Sequence, residues 1–177
     1  MIREYGSEFQ LDAEALDDRP RIAQFEFENG QTRFFRAGRD VLRYLAIKEC
    51  DTCGGVALLP SLCCDSMSEP FVLEGYKVVF FDVDSDLRID YEDLARKAEA
   101  NQGSLLLYMS YFGISPINSD DISVLKDVAS LTIARDATHD IFGRRVDVDG
   151  PDDFVLASLR KWTALPDGAL LYSRHHD

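Results

Sequence analysis

Two short runs bring ionisable side chains together in a way that could do chemistry: Asp136-Ala-Thr-His139 and Ser158-Leu-Arg-Lys161. A carboxylate can keep a neighbouring base protonated, and an imidazole can donate or accept near neutral pH. A lysine amine is a nucleophile toward carbonyls and a base once deprotonated. Each group also has a plainer reading: Asp136 as a helix cap, His139 as a satisfied loop residue, Lys161 as a surface lysine lying across Trp162. Ser158-x-x-Lys161 has the spacing of the serine-acylase SxxK motif, but that motif expects a serine opening a helix and a polar companion downstream, and neither is evident. Gly38-Arg39-Asp40 opens a helical pattern, where glycine either lets an anion approach the free amides or simply makes a turn.

The remaining reactive side chains are thiols. Cys50-Asp-Thr-Cys53 has the CxxC spacing of a zinc knuckle or a redox pair, and Cys63-Cys64 follows. A structural zinc needs four converging ligands, adjacent cysteines converge poorly, and no second CxxC or HxxxH is present. The thiols are therefore read as buried or incidental, and no metal is expected.

The elements that must position these residues follow a repeating rhythm. Ile22-Ala-Gln-Phe-Glu-Phe-Glu alternates, Asn29-Gly30 turns, and Thr32-Arg-Phe-Phe returns, which predicts a hairpin. Val41, Leu42, Leu45 and Ala46 mark a helix face that fades near Lys48-Glu49, and Val56-Ala-Leu-Leu before Pro60 reads as a strand buried on both sides. The alternation recurs. Met67, Phe71 and Val72 predict a short helix, and Lys77 to Val83 a strand. Asp90 is placed to cap a helix with Leu94, Ala95 and Ala98 on its buried stripe, and Ser104 to Met109 forms the next strand. Ser119 is expected to cap a helix with Ile122, Leu125, Val128 and Ala129. Leu131-Thr-Ile-Ala, Phe154-Val-Leu-Ala and Ala169-Leu-Leu-Tyr complete the strand candidates. Strands alternating with helices predict one α/β domain with a mainly parallel sheet and helices on both faces. Ligands in such sheets sit beyond the carboxyl ends of the strands, where each of the polar runs above begins.

Composition narrows the function classes. The chain has 177 residues, 46% of them hydrophobic, and a formal net charge of −13. That length suits one domain with a real core. The acidic balance repels a polyanion at long range, so no nucleic-acid partner is expected. No apolar run approaches the roughly 18–20 residues of a membrane span. The polar, acidic N-terminus is unlike a signal or transit peptide, and a cytoplasmic location is expected.

Taken in order, the polar runs resemble a known family: the large domain of fold-type I pyridoxal-phosphate (PLP) enzymes, specifically the DegT-like sugar aminotransferases. The resemblance runs from about Phe34 to Tyr172. It includes Arg36-Ala-Gly-Arg-Asp, Leu59-Pro-Ser, Phe80-Phe-Asp-Val-Asp and Tyr111-Phe-Gly. It continues through Asp136-Ala-Thr-His139, Ser158-Leu-Arg-Lys161 and Pro166-Asp-Gly-Ala-Leu-Leu-Tyr. The fold implied is a mixed, mainly parallel seven-stranded sheet. The organisation implied is an N-terminal segment and hairpin over residues 1–33, then a PLP-binding large domain over residues 34–177, with the family's small C-terminal domain expected to be missing.

The resemblance also implies roles. Lys161 would hold pyridoxal 5'-phosphate as a Schiff base and move the proton between Cα and the cofactor. Asp136 would face the pyridine nitrogen and keep it protonated. His139 would bond near the phenolic oxygen, and Ser158 with the backbone at Gly38-Arg39 would hold the phosphate. The family places an aromatic ring over the cofactor shortly after the Pro-Ser turn, a position that falls here at Cys64. Arg135 stands where the family commonly has an acid. The implied reaction moves an amino group from an amino acid donor to a keto-sugar acceptor within a homodimer. The truncated chain is expected to be weakly active. The alternatives are a non-catalytic relative that keeps the fold for assembly or regulation, and a thiol or metal protein.

Overall fold

The computed structural model describes residues 31–141 and 150–174. Seven five-residue strands make one sheet: β1 (Gln31–Phe35), β2 (Val56–Pro60), β3 (Lys77–Phe81), β4 (Leu105–Met109), β5 (Thr132–Asp136), β6 (Phe154–Ser158) and β7 (Ala169–Ser173). Among the described residues four α-helices connect them: α1 (Gly38–Lys48), α2 (Asp65–Leu73), α3 (Tyr91–Ala100) and α4 (Ser119–Ala129). The sheet order is β1-β7-β6-β5-β4-β2-β3. β2 to β6 run parallel, while β7 lies antiparallel to both β6 and β1.

Strand alternation divides the core into two layers. Ala57 and Leu59, Leu105 and Leu107, and Ala134 meet Val41, Leu45 and Phe71 of α1 and α2 on one face. Leu58, Leu106 and Ile133 meet Leu94, Ala98, Ile122 and Leu125 of α3 and α4 on the other. Helices therefore cover both faces, and continuous apolar strands are the consequence.

Several local expectations change. Asn118 caps α4, its side chain accepting from the Asp120 amide, so Ser119 is the first helical residue instead of the cap. An amide oxygen one residue earlier reaches the free amide without bending the helix entry. Val128 and Val72, which helped to mark the predicted helices, are exposed. β3 stops at Phe81, and Val83 instead bridges Ile89. Asp90 does cap α3, accepting from Asp93. The return limb of the predicted hairpin is β1, which pairs with β7; the outgoing limb at residues 22–28 lies outside the described residues. The boundary expected between residues 33 and 34 falls inside β1.

Candidate active site

The chain order places β4 on the opposite side of β2 from β3, so successive crossovers diverge between β2 and β4. Loops leaving two strands that diverge in this way open a crevice beyond their carboxyl ends. A cavity of about 620 Å³ lies here, bounded by the turn after β2, the ends of β4, β5 and β6, and the start of α1. Gly38, Arg39, Cys64, Asp136, His139, Ser158 and Lys161 all line it. The topology thus gathers into one hollow seven residues spread over most of the chain.

Asp136 ends β5 on the α1/α2 face and is buried. Burial pushes its carboxyl above the usual range, opposed by hydrogen bonds from the Thr138 hydroxyl and amide and by His139. The Thr138 amide donates to Asp136 Oδ1 at 2.8 Å. Arg135, one residue earlier, must point to the opposite face. There its guanidinium meets Asp152 at 3.1 Å and Asp140 at 3.6 Å, and Asp152 also accepts from the Tyr108 hydroxyl at 2.7 Å. Arg135 is thus absent from the cavity lining and belongs to a buried ion network behind the sheet.

His139 accepts at Nδ1 from the Phe112 amide at 3.3 Å, and the two rings stack with centroids 5.0 Å apart. An accepting Nδ1 leaves the proton on Nε2, so the imidazole has a donor to present. Phe112 sits at φ 52° in the Tyr111-Phe-Gly113 turn, a left-handed conformation unusual for a bulky residue. Lys161 closes a single 3₁₀ turn, Leu159–Lys161, directly after β6. Among the described residues its amine has no ion-pair partner, and the residue lines the cavity that Asp136 also lines. Cys64 caps α2 through its backbone only, with Sγ 3.0 Å from Ser66 Oγ. Among the described lining residues, Tyr111 carries the one phenyl-type ring, and its hydroxyl donates to the Leu62 carbonyl at 2.6 Å.

At α1, Ala37 is the N-cap, and among the described residues no side chain caps the first amides. The amides of an uncapped N-terminus, with the helix dipole behind them, favour an anion. A Cβ built on Gly38 would lie 3.6 Å from Ser158 Cβ, so the glycine and the serine face each other across a gap that any side chain would narrow. The donor set fits PLP: amides and a hydroxyl for phosphate, a buried carboxylate for the pyridine nitrogen, an imidazole donor, and the Lys161 amine.

Sequence reasoning assigned no role to Thr138, Tyr111 or Phe112. Thr138 was legible as a hydroxyl between two flagged residues, whereas the Phe112 ring position depends on a left-handed turn that the sequence signals only through the following glycine.

No family model and no curated protein matches the sequence. The fold, however, is that of the large domain of fold-type I PLP-dependent enzymes, including DegT-type aminotransferases. A DegT DnrJ EryC1 StrS aminotransferase from Brucella abortus superposes with TM-score 0.65 at 21% identity, over 82% of this chain and 42% of its own. A Helicobacter pylori aminotransferase involved in pseudoaminic acid biosynthesis gives 0.66 at 15%, over 82% and 40%. A sphingosine-1-phosphate lyase from Burkholderia pseudomallei gives 0.66 at 14%, over 82% and 38%. The chain spans about two-fifths of each. Two aminotransferases and a lyase share one frame, so the frame alone does not select the reaction. Among the described residues no helix is long and apolar enough to cross a membrane, and no group of three His, Cys, Asp or Glu is placed to hold a metal.

Proposed function

We propose that this chain binds pyridoxal 5'-phosphate in the cavity beyond β2, β4, β5 and β6 and belongs to an aminotransferase-like protein. The observation that supports this reading is the arrival of Lys161 and Asp136 in one cavity whose floor also carries the uncapped start of α1 opposite Ser158. PLP supplies an aldehyde that condenses with amines and a protonated ring that accepts electron density. The protein supplies placement. Lys161 offers the amine and, once free, the base that moves a proton at the substrate Cα. Asp136, held by hydrogen bonds from Thr138, would face the ring nitrogen, and burial would strengthen that charge pair. His139 would donate from Nε2 to the phenolic oxygen. The α1 amides at Gly38 and Arg39, with Ser158, hold the phosphate despite the chain's net acidity, because fixed donors at short range outweigh screened distant charge.

The substrates in this reading are an amino acid donor and a keto-sugar acceptor. The working unit in this reading is a cytoplasmic homodimer, with the PLP-binding large domain over residues 34–177. A second reading, a non-catalytic relative that keeps the frame for assembly, draws on Cys64: the turn after β2 brings no aromatic ring over the cofactor position. Titration of the purified protein with PLP separates the alternatives. The first reading expects a saturable visible band that Lys161→Ala abolishes, and borohydride trapping of the cofactor on a peptide containing Lys161. The absence of any band at saturating PLP overturns it. A band without any half-reaction on amino acids selects the second reading.

A further inference from the structure

The cavity brings together Asp136 at the end of β5 and Lys161 in the turn after β6, and something must keep their spacing. β5 and β6 pair as far as Asp136 opposite Leu156, and the Ala137 amide still reaches the Leu156 carbonyl at 2.8 Å. Beyond that point the ladder ends. The next β6 amide, Ser158 N–H, donates to the Thr138 hydroxyl oxygen at 3.0 Å instead of to a backbone carbonyl. Because that oxygen already accepts, its own proton is free to go to Asp136, and a hydrogen bond from the Thr138 side chain does reach that carboxylate. The Thr138 amide bonds the same carboxylate, and the Thr138 carbonyl accepts from the Trp162 indole N–H. Ser158 and Trp162 flank the turn Leu159–Lys161 on either side. Thr138 is itself buried, so water competes little for these bonds.

We infer that Thr138 is a positioning residue that locks the Asp136 carboxylate and the Lys161 turn into one frame, gripping the turn at both ends while bonding the acid twice. The inference rests on the reading of this cavity as a PLP site, but the frame exists without cofactor and is testable there. Valine matches threonine in shape and lacks the hydroxyl, serine keeps it, and alanine removes both hydroxyl and bulk.

Three measurements apply to wild type, Thr138→Val, Thr138→Ser and Thr138→Ala. The first is amide hydrogen exchange at Ser158 in the cofactor-free protein. The second is the carboxyl-carbon NMR titration of Asp136 in the same state. His139 and Asp140 from its own loop act on that group, while Lys161 from the turn, Arg39 from α1 and Tyr111 beyond β4 line the same cavity; all stay unchanged in every variant. The third is the Kd for PLP. Valine and alanine are expected to speed Ser158 exchange by about tenfold or more, the effect of one lost buried hydrogen bond. They are also expected to move the Asp136 titration upward and to weaken PLP binding. Serine should stay close to wild type in all three. A general packing defect would not shift the Asp136 titration selectively, so the serine and valine contrast isolates the hydroxyl. Equal Asp136 titrations and equal Ser158 exchange in the serine and valine variants overturn the inference, and alanine repeats the comparison if valine does not fold. Wild type that shows the expected cofactor-free behaviour yet binds no PLP overturns the proposed function and leaves the frame standing.

Discussion

Replacing Gly38 with alanine should move stability and cofactor affinity in opposite directions. Gly38 is absent from the glycines with positive φ, so alanine adopts its backbone without strain. The added Cβ meets Ser158 Cβ at 3.6 Å, an ordinary contact. Removing glycine restricts the unfolded chain and stabilises by about 0.4–1 kcal/mol. For a chain of this size each kcal/mol moves Tm by roughly 2–4 °C, so Tm should rise by about 1–4 °C. The same methyl narrows the gap between the α1 amides and the Ser158 hydroxyl, where the phosphate is proposed to sit. Loss of one hydrogen bond to a charged group removes about 1.5–3 kcal/mol. With tenfold per about 1.4 kcal/mol, the Kd for PLP should rise about tenfold to a hundredfold. Thermal melting of the cofactor-free protein and a PLP titration measure the two effects independently. Gly75→Ala is the control: φ is 82° there, so alanine should lower Tm and leave the Kd unchanged. A Gly38→Ala protein that melts higher and binds PLP with wild-type Kd would refute the phosphate placement.

Arg135→Met removes the guanidinium that pairs with both buried Asp152 and buried Asp140, with Arg174 still acting on Asp152. Breaking such a pair costs about 3–5 kcal/mol. At roughly 2–4 °C per kcal/mol, the Tm loss is about 6–20 °C. Burial already pushes the Asp152 carboxyl up, with Arg135 and the Tyr108 hydroxyl opposing it. Without Arg135 its folded-state value rises further, so denaturant melts at pH 8 and pH 5 should show a smaller loss at pH 5. A flat profile would count against the network. Asp93 is also subject to burial, which pushes its carboxyl up. Lys97 at 2.5 Å, the Asp82 amide at 2.9 Å and Arg96 outweigh that and hold it below the ordinary range. Its stabilisation is present above about pH 4, the unfolded value, and is lost as pH falls through the depressed folded value. Asp93→Asn should therefore cost about 1.5–3 kcal/mol at pH 7, with the gap to wild type closing in acid. Asp136 has the reverse sign. Its folded value is raised, so ionisation costs stability as pH climbs from about 4 through that value. Asp136→Asn should melt higher than wild type at neutral pH, match it in acid, and support no turnover; a lower Tm at neutral pH would contradict the burial argument.

Much of this protein was legible in one dimension because its determinants are local. Apolar runs such as Leu105–Met109 announce strands buried on two faces, and Asp90 signals its cap, since both depend on neighbours within a few residues. The polar runs at the strand ends were readable for the same reason, as each starts where hydrophobicity stops. Pairing was not readable. That β1 meets β7, and that β4 lies between β2 and β5, follows from which faces the helices cover, a property of the assembled sheet. The direction of Arg135 also waited on register: the pleat turns it to the α3/α4 face while sending Asp136 into the cavity. Thr138 shows the division most clearly, since its residue type was visible throughout. Its hydrogen bond to Ser158, twenty residues away, exists only once β5 and β6 lie side by side and their ladder runs out.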